Sequence, residues 1–248
     1  LSYSFVAFVA TETGEEAVLK IGVPNSELTT EIAALRIPRG RPVVQLLDAD
    51  RQLGALLLRR LVPGTPLADI EDDEDATVAA AHLIQAIPES VPGHHRFPSV
   101  GDWALAFDRL RSRFDGQTGP VPGHLVQKAL QLFAALQRSS PQGKLLHGDL
   151  HHDNILRHGQ GSWAAIDPKG MIGDPAYEAA RSLHNPISGF LSMDHPRSVA
   201  RRRVDILASA LGEDRSRLLA WAFFDATLSA CWSVEAGEDW QYFLVYCC

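Results

Sequence analysis

The segment His147-Gly148-Asp149-Leu150-His151-His152-Asp153-Asn154, followed by Ile166-Asp167-Pro168-Lys169-Gly170, decides how this chain is read. Apolar Leu145-Leu146 and Ile155-Leu156 flank the polar knot, so the ionisable groups sit between two pieces that belong in a core. A single His or Asp in a loop is more often a hydrogen-bonded brace than a reagent; here several occur together. The interval from Asn154 to Asp167 accommodates a strand, a turn at residues 159–161 and a returning strand over 163–166, which brings Asp167 back beside Asn154. Two oxygen donors on one hairpin make half a site for a hard divalent cation whose other ligands are water and phosphate oxygens. Magnesium with a nucleoside triphosphate fits that pattern. Asp149, just ahead on the loop, is placed to orient an attacking hydroxyl and accept its proton.

Working outward, the N-terminal part reads as strands interrupted once by a helix. Stretches 3–10, 17–21, 43–47 and 54–59 are rich in Val, Leu, Ile or aromatics and bounded by turn residues, 11–14 signals a hairpin, and 27–36 carries a helical pattern. Val62-Pro63-Gly64-Thr65-Pro66 then punctuates the chain as a linker, because two prolines and a glycine so close together end a strand. The expected division is a small antiparallel-sheet lobe over 1–61 and a larger, mostly helical lobe over 62–248. Helical patterns cover 75–87, 99–114 (opened by a cap at Ser99), 125–137, 175–184, 197–211 and 214–234. The fold class is α+β.

The 248 residues include 23 basic and 30 acidic side chains, a net charge of −7. That sign argues against nonspecific binding to nucleic acid or anionic membrane and permits a cationic partner. Cys231, Cys247 and Cys248 suggest neither a disulfide framework nor a zinc site, so a reducing cytoplasm is the simpler compartment. The apolar opening has no basic residue before it and is too short to span a bilayer. Without an initiator Met, further residues are expected upstream. A monomer or weak dimer is expected.

His-x-Asp with Asn five positions later is the catalytic-loop spacing of the protein-kinase-like fold, and Ile166 to Gly170 stands where that fold has its metal-binding Asp-Phe-Gly. With Met171-Ile172-Gly173-Asp174-Pro175-Ala176-Tyr177-Glu178, these motifs closely resemble the aminoglycoside phosphotransferase family, in particular its streptomycin 6-kinase and hydroxyurea phosphotransferase branch. The resemblance covers nearly the whole chain. It implies a two-lobed protein-kinase-like fold and an ATP-dependent phosphotransferase that uses Mg2+. It further implies Asp149 as catalytic base, Asn154 and Asp167 as magnesium ligands, and Lys20 paired with Glu31 as the phosphate-positioning ion pair. Physically, a lysine in an apolar strand needs a carboxylate partner. Residues 56–66 resemble the linker whose backbone meets adenine. Lys169, two positions after a metal ligand, either neutralises the γ-phosphate or is solvated. His147 reads as a loop brace, and His151 and His152 as packing or substrate contacts. The chain departs from the pattern in three places. No glycine-rich loop is visible, so Ser2 and Ser4 remain as donors over the phosphates; Pro168 replaces an aromatic; and Arg59-Arg60 stands where an acidic residue is expected.

The implied acceptor is a small cationic molecule such as streptomycin. Carboxylates for it are available at Asp174, Glu178, Asp225, Glu235, Glu238 and Asp239, interleaved with Trp232 and Trp240. Asp174 and Glu178 fall on one face of a predicted helix. A metal-dependent hydrolase built from the His/Asp cluster 147–153 is the rival from another reaction class. A housekeeping small-molecule kinase with a different acceptor, and a noncatalytic nucleotide-binding module, are the others.

Overall fold

The computed structural model describes residues 4–37, 40, 42–91, 93, 97–185 and 195–245. Strands β1 (Phe5–Ala10), β2 (Glu16–Ile21), β3 (Leu46–Asp50) and β4 (Ala55–Arg59) form an antiparallel sheet in the order β1-β2-β4-β3. Helix α1 (Ser26–Leu35) begins where the Asn25 side chain accepts the Leu28 N–H at 2.8 Å. Leu28, Ile32 and Leu35 recur at helical spacing and pack with Val44, Leu56 and Leu58 in a small core of their own. Glu31 lies on that same buried face, so the helix carries a carboxylate towards the sheet.

Strand β5 (Pro63–Pro66) joins β7 (Ile155–His158) and β8 (Ser162–Ala165) in a second sheet, and β6 (Lys144–Leu146) pairs with β9 (Met171–Gly173). Residues 63–66 are thus a strand, where the sequence reads as a linker. The prolines end an edge strand with an irregular register, Pro63 opposite His158 and Pro66 opposite Leu156, where the ladder tolerates a missing N–H. The stretch expected at 43–47 also shifts. Val43 bridges to Ala165, and the Val44 N–H donates to Ala165 O at 2.8 Å, so β3 starts only at Leu46. Tyr3, Ser2, Cys247 and Cys248 lie outside the described residues.

The helical body comprises α2 (Asp73–Ala86), α3 (Val100–Ala104), α4 (Ala106–Arg113), α5 (Gly123–Ser139), α6 (Glu178–Leu183), α7 (Pro196–Leu211), α8 (Arg215–Ala236) and α9 (Gln241–Leu244). The helix expected over 99–114 is divided at Leu105, its start held by a reciprocal Ser99–Asp102 capping box. That expected over 175–184 opens instead as a 3₁₀ turn, Pro175–Tyr177, before α6. Helix α8 is the central post. Trp221 and Phe224 are buried on it, with Tyr177 edge-on to Trp221 at 5.2 Å and Phe133 stacked on Phe224 at 4.7 Å between ring centroids. Among the described residues no helix is long and apolar enough to cross a membrane.

Candidate active site

The β7–β8 hairpin pairs Ile155 with Ala165 and His158 with Ser162, which brings the residues just beyond its open end together. There the Ile166 N–H donates to Asn154 O at 2.9 Å. His147 braces the loop from behind: its Nε2–H donates to Ile166 O at 2.8 Å, and its Nδ1 accepts the Asp149 N–H at 3.2 Å. Burial drives this imidazole to a pKa of about 4, so the ring is neutral and can hold both roles. Between them Gly148 has φ +83°, and a Cβ there would stand 2.9 Å from Met171, a position only glycine fits without displacement. Asp167 is itself left-handed, at φ 58°, which Asp tolerates better than most side chains.

Lys20 on β2 donates to Glu31 Oε1 at 2.7 Å and lies 3.1 Å from Asp167 Oδ1. Burial pulls the ammonium's pKa down, but the charges of Asp167 and Glu31 together outweigh it and hold Lys20 above its ordinary value. Glu31 is pushed up by burial against the pull of Lys20. The two directions describe one arrangement, a charged lysine held by partners that are themselves desolvated.

Asn154 donates its Nδ2–H to Asp149 O at 2.9 Å, which leaves Oδ1 as its acceptor atom. Asp167 and Asn154 line one cavity of about 530 Å³, together with Ser4, Lys20, Glu31 and Lys169. Their hard oxygens suit Mg2+, with water and phosphates as the remaining ligands. The hydrolase alternative lacks a comparable set. His147 is turned onto Ile166, His151 Nδ1 faces Asp153 at 3.4 Å, and His152 is buried, driven to a pKa of about 3 by desolvation and then by Arg203. Among the described residues no three His, Cys, Asp or Glu side chains are grouped to hold a metal.

Two further cavities adjoin the first. A slot of about 240 Å³ continues from Lys20 and Asp167 between Val18, Leu58, Leu61, Leu156 and Ile166. On the other side, a cavity of about 780 Å³ shares Glu27, Asp149 and Lys169 with the first and is walled by Phe97, Trp103 and Trp232. Asp149 therefore stands on a wall common to a polar, lysine-bearing space and an aromatic one. Burial raises the pKa of its carboxyl, but Arg181, then His151 and Lys169, outweigh burial and leave it below the ordinary value, an ionised acceptor at neutral pH.

Residues 2–237 match the family described as aminoglycoside/hydroxyurea antibiotic resistance kinase. The chain belongs to this family. It is 32% identical over 236 residues to streptomycin 6-kinase of Streptomyces glaucescens, covering 95% of this chain and 76% of that one. It is also 32% identical over 231 residues to hydroxyurea phosphotransferase of Kitasatospora aureofaciens, covering 93% and 66%. Among solved structures it is similar to a thermostable mutant of aminoglycoside phosphotransferase APH(4)-Ia in ternary complex with ADP and hygromycin B. There the TM-score is 0.65 at 16% identity, covering 98% of this chain and 92% of that one. The fold is thus the two-lobed, protein-kinase-like α+β fold, and the chain is an ATP-dependent phosphotransferase.

In this resistance kinase the carboxylates expected around the acceptor are mostly occupied elsewhere. Glu178 is buried and accepts the N–H groups of His147 and Gly148 at 2.9 and 2.8 Å, so it fixes the start of the loop over 147–154. Asp174 is buried too. It accepts the Ala176 N–H at 3.0 Å, Ser140 Oγ–H at 2.9 Å and Trp221 Nε1–H at 3.2 Å, and it pairs with Arg217. Neither lines the aromatic cavity. Glu235 is in a two-point ion pair with Arg109 at 2.9 and 3.1 Å, and Arg109 lines that cavity while Glu235 does not. Trp232 does line it. Lys169 faces both cavities, with its ammonium on Glu27 of α1. Arg181 was not foreseen from sequence. Its signal is its position three residues after Glu178, on the same helical face, and Asp225 in the apolar run Phe223-Phe224-Asp225-Ala226, a charge that requires a cation.

Proposed function

We propose that this kinase transfers the γ-phosphate of ATP to a hydroxyl of an aminoglycoside, with streptomycin the first candidate. The placement of Asp149 between the Lys20–Glu31–Asp167 cavity and the aromatic cavity carries the reading. Asn154 and Asp167 would hold Mg2+, which when bound neutralises phosphate charge and orients the triphosphate. Lys20 supplies a fixed ammonium to the phosphate oxygens, and the apolar slot beyond it takes the base. The acceptor oxygen attacks the γ-phosphorus as the bond to ADP breaks, and Asp149 takes the hydroxyl proton. A soluble enzyme acting as a monomer or weak dimer in the cytoplasm suits this chemistry.

One observation favours a second reading, a kinase with a less cationic acceptor. Among the described residues the aromatic cavity balances Glu27, Asp102 and Asp149 against Arg109, Lys169 and Arg181, so it has no acidic excess. Incubation of labelled ATP and Mg2+ with streptomycin, other aminoglycosides, hydroxyurea and small sugars separates the readings. Label on streptomycin is expected. Label only on uncharged compounds selects the second reading, and label on no hydroxyl compound rejects both.

A further inference from the structure

Arg181 on α6 stands between two carboxylates. Its Nε lies 3.4 Å from Asp225 Oδ2 and 3.9 Å from Asp149 Oδ1. Asp225 comes from α8 and is wholly buried, and its other oxygen accepts the Tyr177 O–H at 2.6 Å. His184 Nε2 is 3.3 Å from Asp225 Oδ2, but burial drives that imidazole to a pKa of about 4, so it adds no positive charge at neutral pH. Among the described residues Arg181 is then the cation paired with Asp225. On its other side the guanidinium lies 5.8 Å from the Trp232 ring centroid and lines the aromatic cavity.

We propose that Arg181 is a positioning residue for phosphoryl transfer: anchored by Asp225 and seated against Trp232, it fixes the side-chain orientation of Asp149 at the mouth of the acceptor cavity. This rests on the reading of Asp149 as the base. The separation from Asp149 is beyond hydrogen-bond reach, so Arg181 steers the carboxylate by charge and leaves its oxygens open to a hydroxyl. The anchoring chain is continuous. Tyr177 holds Asp225 by a hydrogen bond, Asp225 holds Arg181 by charge, and Glu178, between Tyr177 and Arg181 in sequence, holds the backbone of His147 and Gly148. One short segment therefore places both the backbone and the side chain of the catalytic loop. A planar guanidinium against an aromatic ring is a geometry lysine reproduces only in part.

The test compares the intact enzyme with Arg181→Gln, Arg181→Lys, Asp225→Asn and the double variant Arg181→Gln/Asp225→Asn. It uses streptomycin phosphorylation and basal ATP hydrolysis, with thermal melts and a crystal structure of Arg181→Gln. The expected result is a fall in kcat of about 10- to 100-fold for Arg181→Gln with KM for ATP unchanged, and partial recovery in Arg181→Lys. Asp225→Asn should lower kcat in the native background but add little once Arg181 is gone, and Asp149 should leave its rotamer in the Arg181→Gln crystal. Fully additive losses, an unmoved Asp149, a change confined to acceptor KM, or lower melting points with native kcat would each overturn the proposal. Asp149→Asn is the control for the underlying reading. If that variant is fully active, Asp149 is not the base, whatever Arg181 does.

Discussion

Lys20 and Asp167 stand 3.1 Å apart although one belongs to β2 and the other to the turn after β8. The contact ties the sheet to the hairpin that also presents Asn154, so the ammonium proposed for the phosphates and the oxygens proposed for Mg2+ are fixed relative to one another. Glu31 completes the arrangement by holding Lys20 from the buried face of α1.

Replacing Lys20 by Met should therefore lower kcat/KM for ATP by about 100-fold or more while the fold survives. The lost ammonium would otherwise make charge-assisted hydrogen bonds to phosphate, and Met fills the same apolar space. Steady-state kinetics with varied ATP, beside a circular dichroism melt, measures both. A native kcat/KM would remove Lys20 from the phosphate site.

The metal role of Asp167 has its own readout. In the native enzyme, calorimetry should show ATP binding more tightly with Mg2+ than with a chelator present. In Asp167→Asn most of that gap should close, because a neutral amide is a weaker ligand for a hard dication. A gap of native size in the variant would show that Asp167 is not a metal ligand.

The candidate site divides in how far it is legible from sequence. On the side proposed for the nucleotide the geometry is legible because the residues are placed by local rules. The hairpin fixes Asn154 near Asp167, the periodicity of α1 turns Glu31 inward with Leu28 and Leu35, and a lysine in an apolar strand demands a partner. On the side proposed for the acceptor it is not. Asp174 and Glu178 sit where a 3₁₀ turn and a helix begin, and which backbone N–H or side chain each accepts depends on how β9 and α8 pack against them, which no spacing encodes. Proline at 63 and 66 signals a linker, and only the position of this strand at a sheet edge, which spacing does not encode, makes it a strand. Arg181 was missed because its two partners, Asp149 and Asp225, come from a loop and a helix distant in the chain.

Glu178 should prove a stability residue. Glu178→Ala leaves the buried N–H groups of His147 and Gly148 without this acceptor, at a cost of about 1–3 kcal/mol for each. A marked drop in denaturation midpoint is expected, together with loss of activity, whereas Glu178→Gln keeps an oxygen for one of them and should fall between. Urea unfolding of the three proteins decides it; equal midpoints would mean the contacts are dispensable.

Acid should weaken the fold from a pH well above the carboxylate range. His147 and His184 are held near 4 and His152 near 3, each by burial first, against 6.5 for an unconstrained ring. A lowered folded-state pKa means that the unfolded chain takes up protons the folded one refuses. The stability these neutral rings contribute is thus fully present above pH 6.5 and is lost as pH falls from there towards 4. Between pH 7.5 and 5.5 the loss is on the order of 1 kcal/mol per ring, about 3 to 4 kcal/mol for the three, because each extra proton on the unfolded chain costs about 1.4 kcal/mol per pH unit. Urea midpoints measured across that range should decline steadily towards acid, and His184→Phe, which removes one titrating ring, should flatten the decline by about a third. A midpoint that stays level down to pH 5.5 would show these rings to be accessible to protons in the folded enzyme.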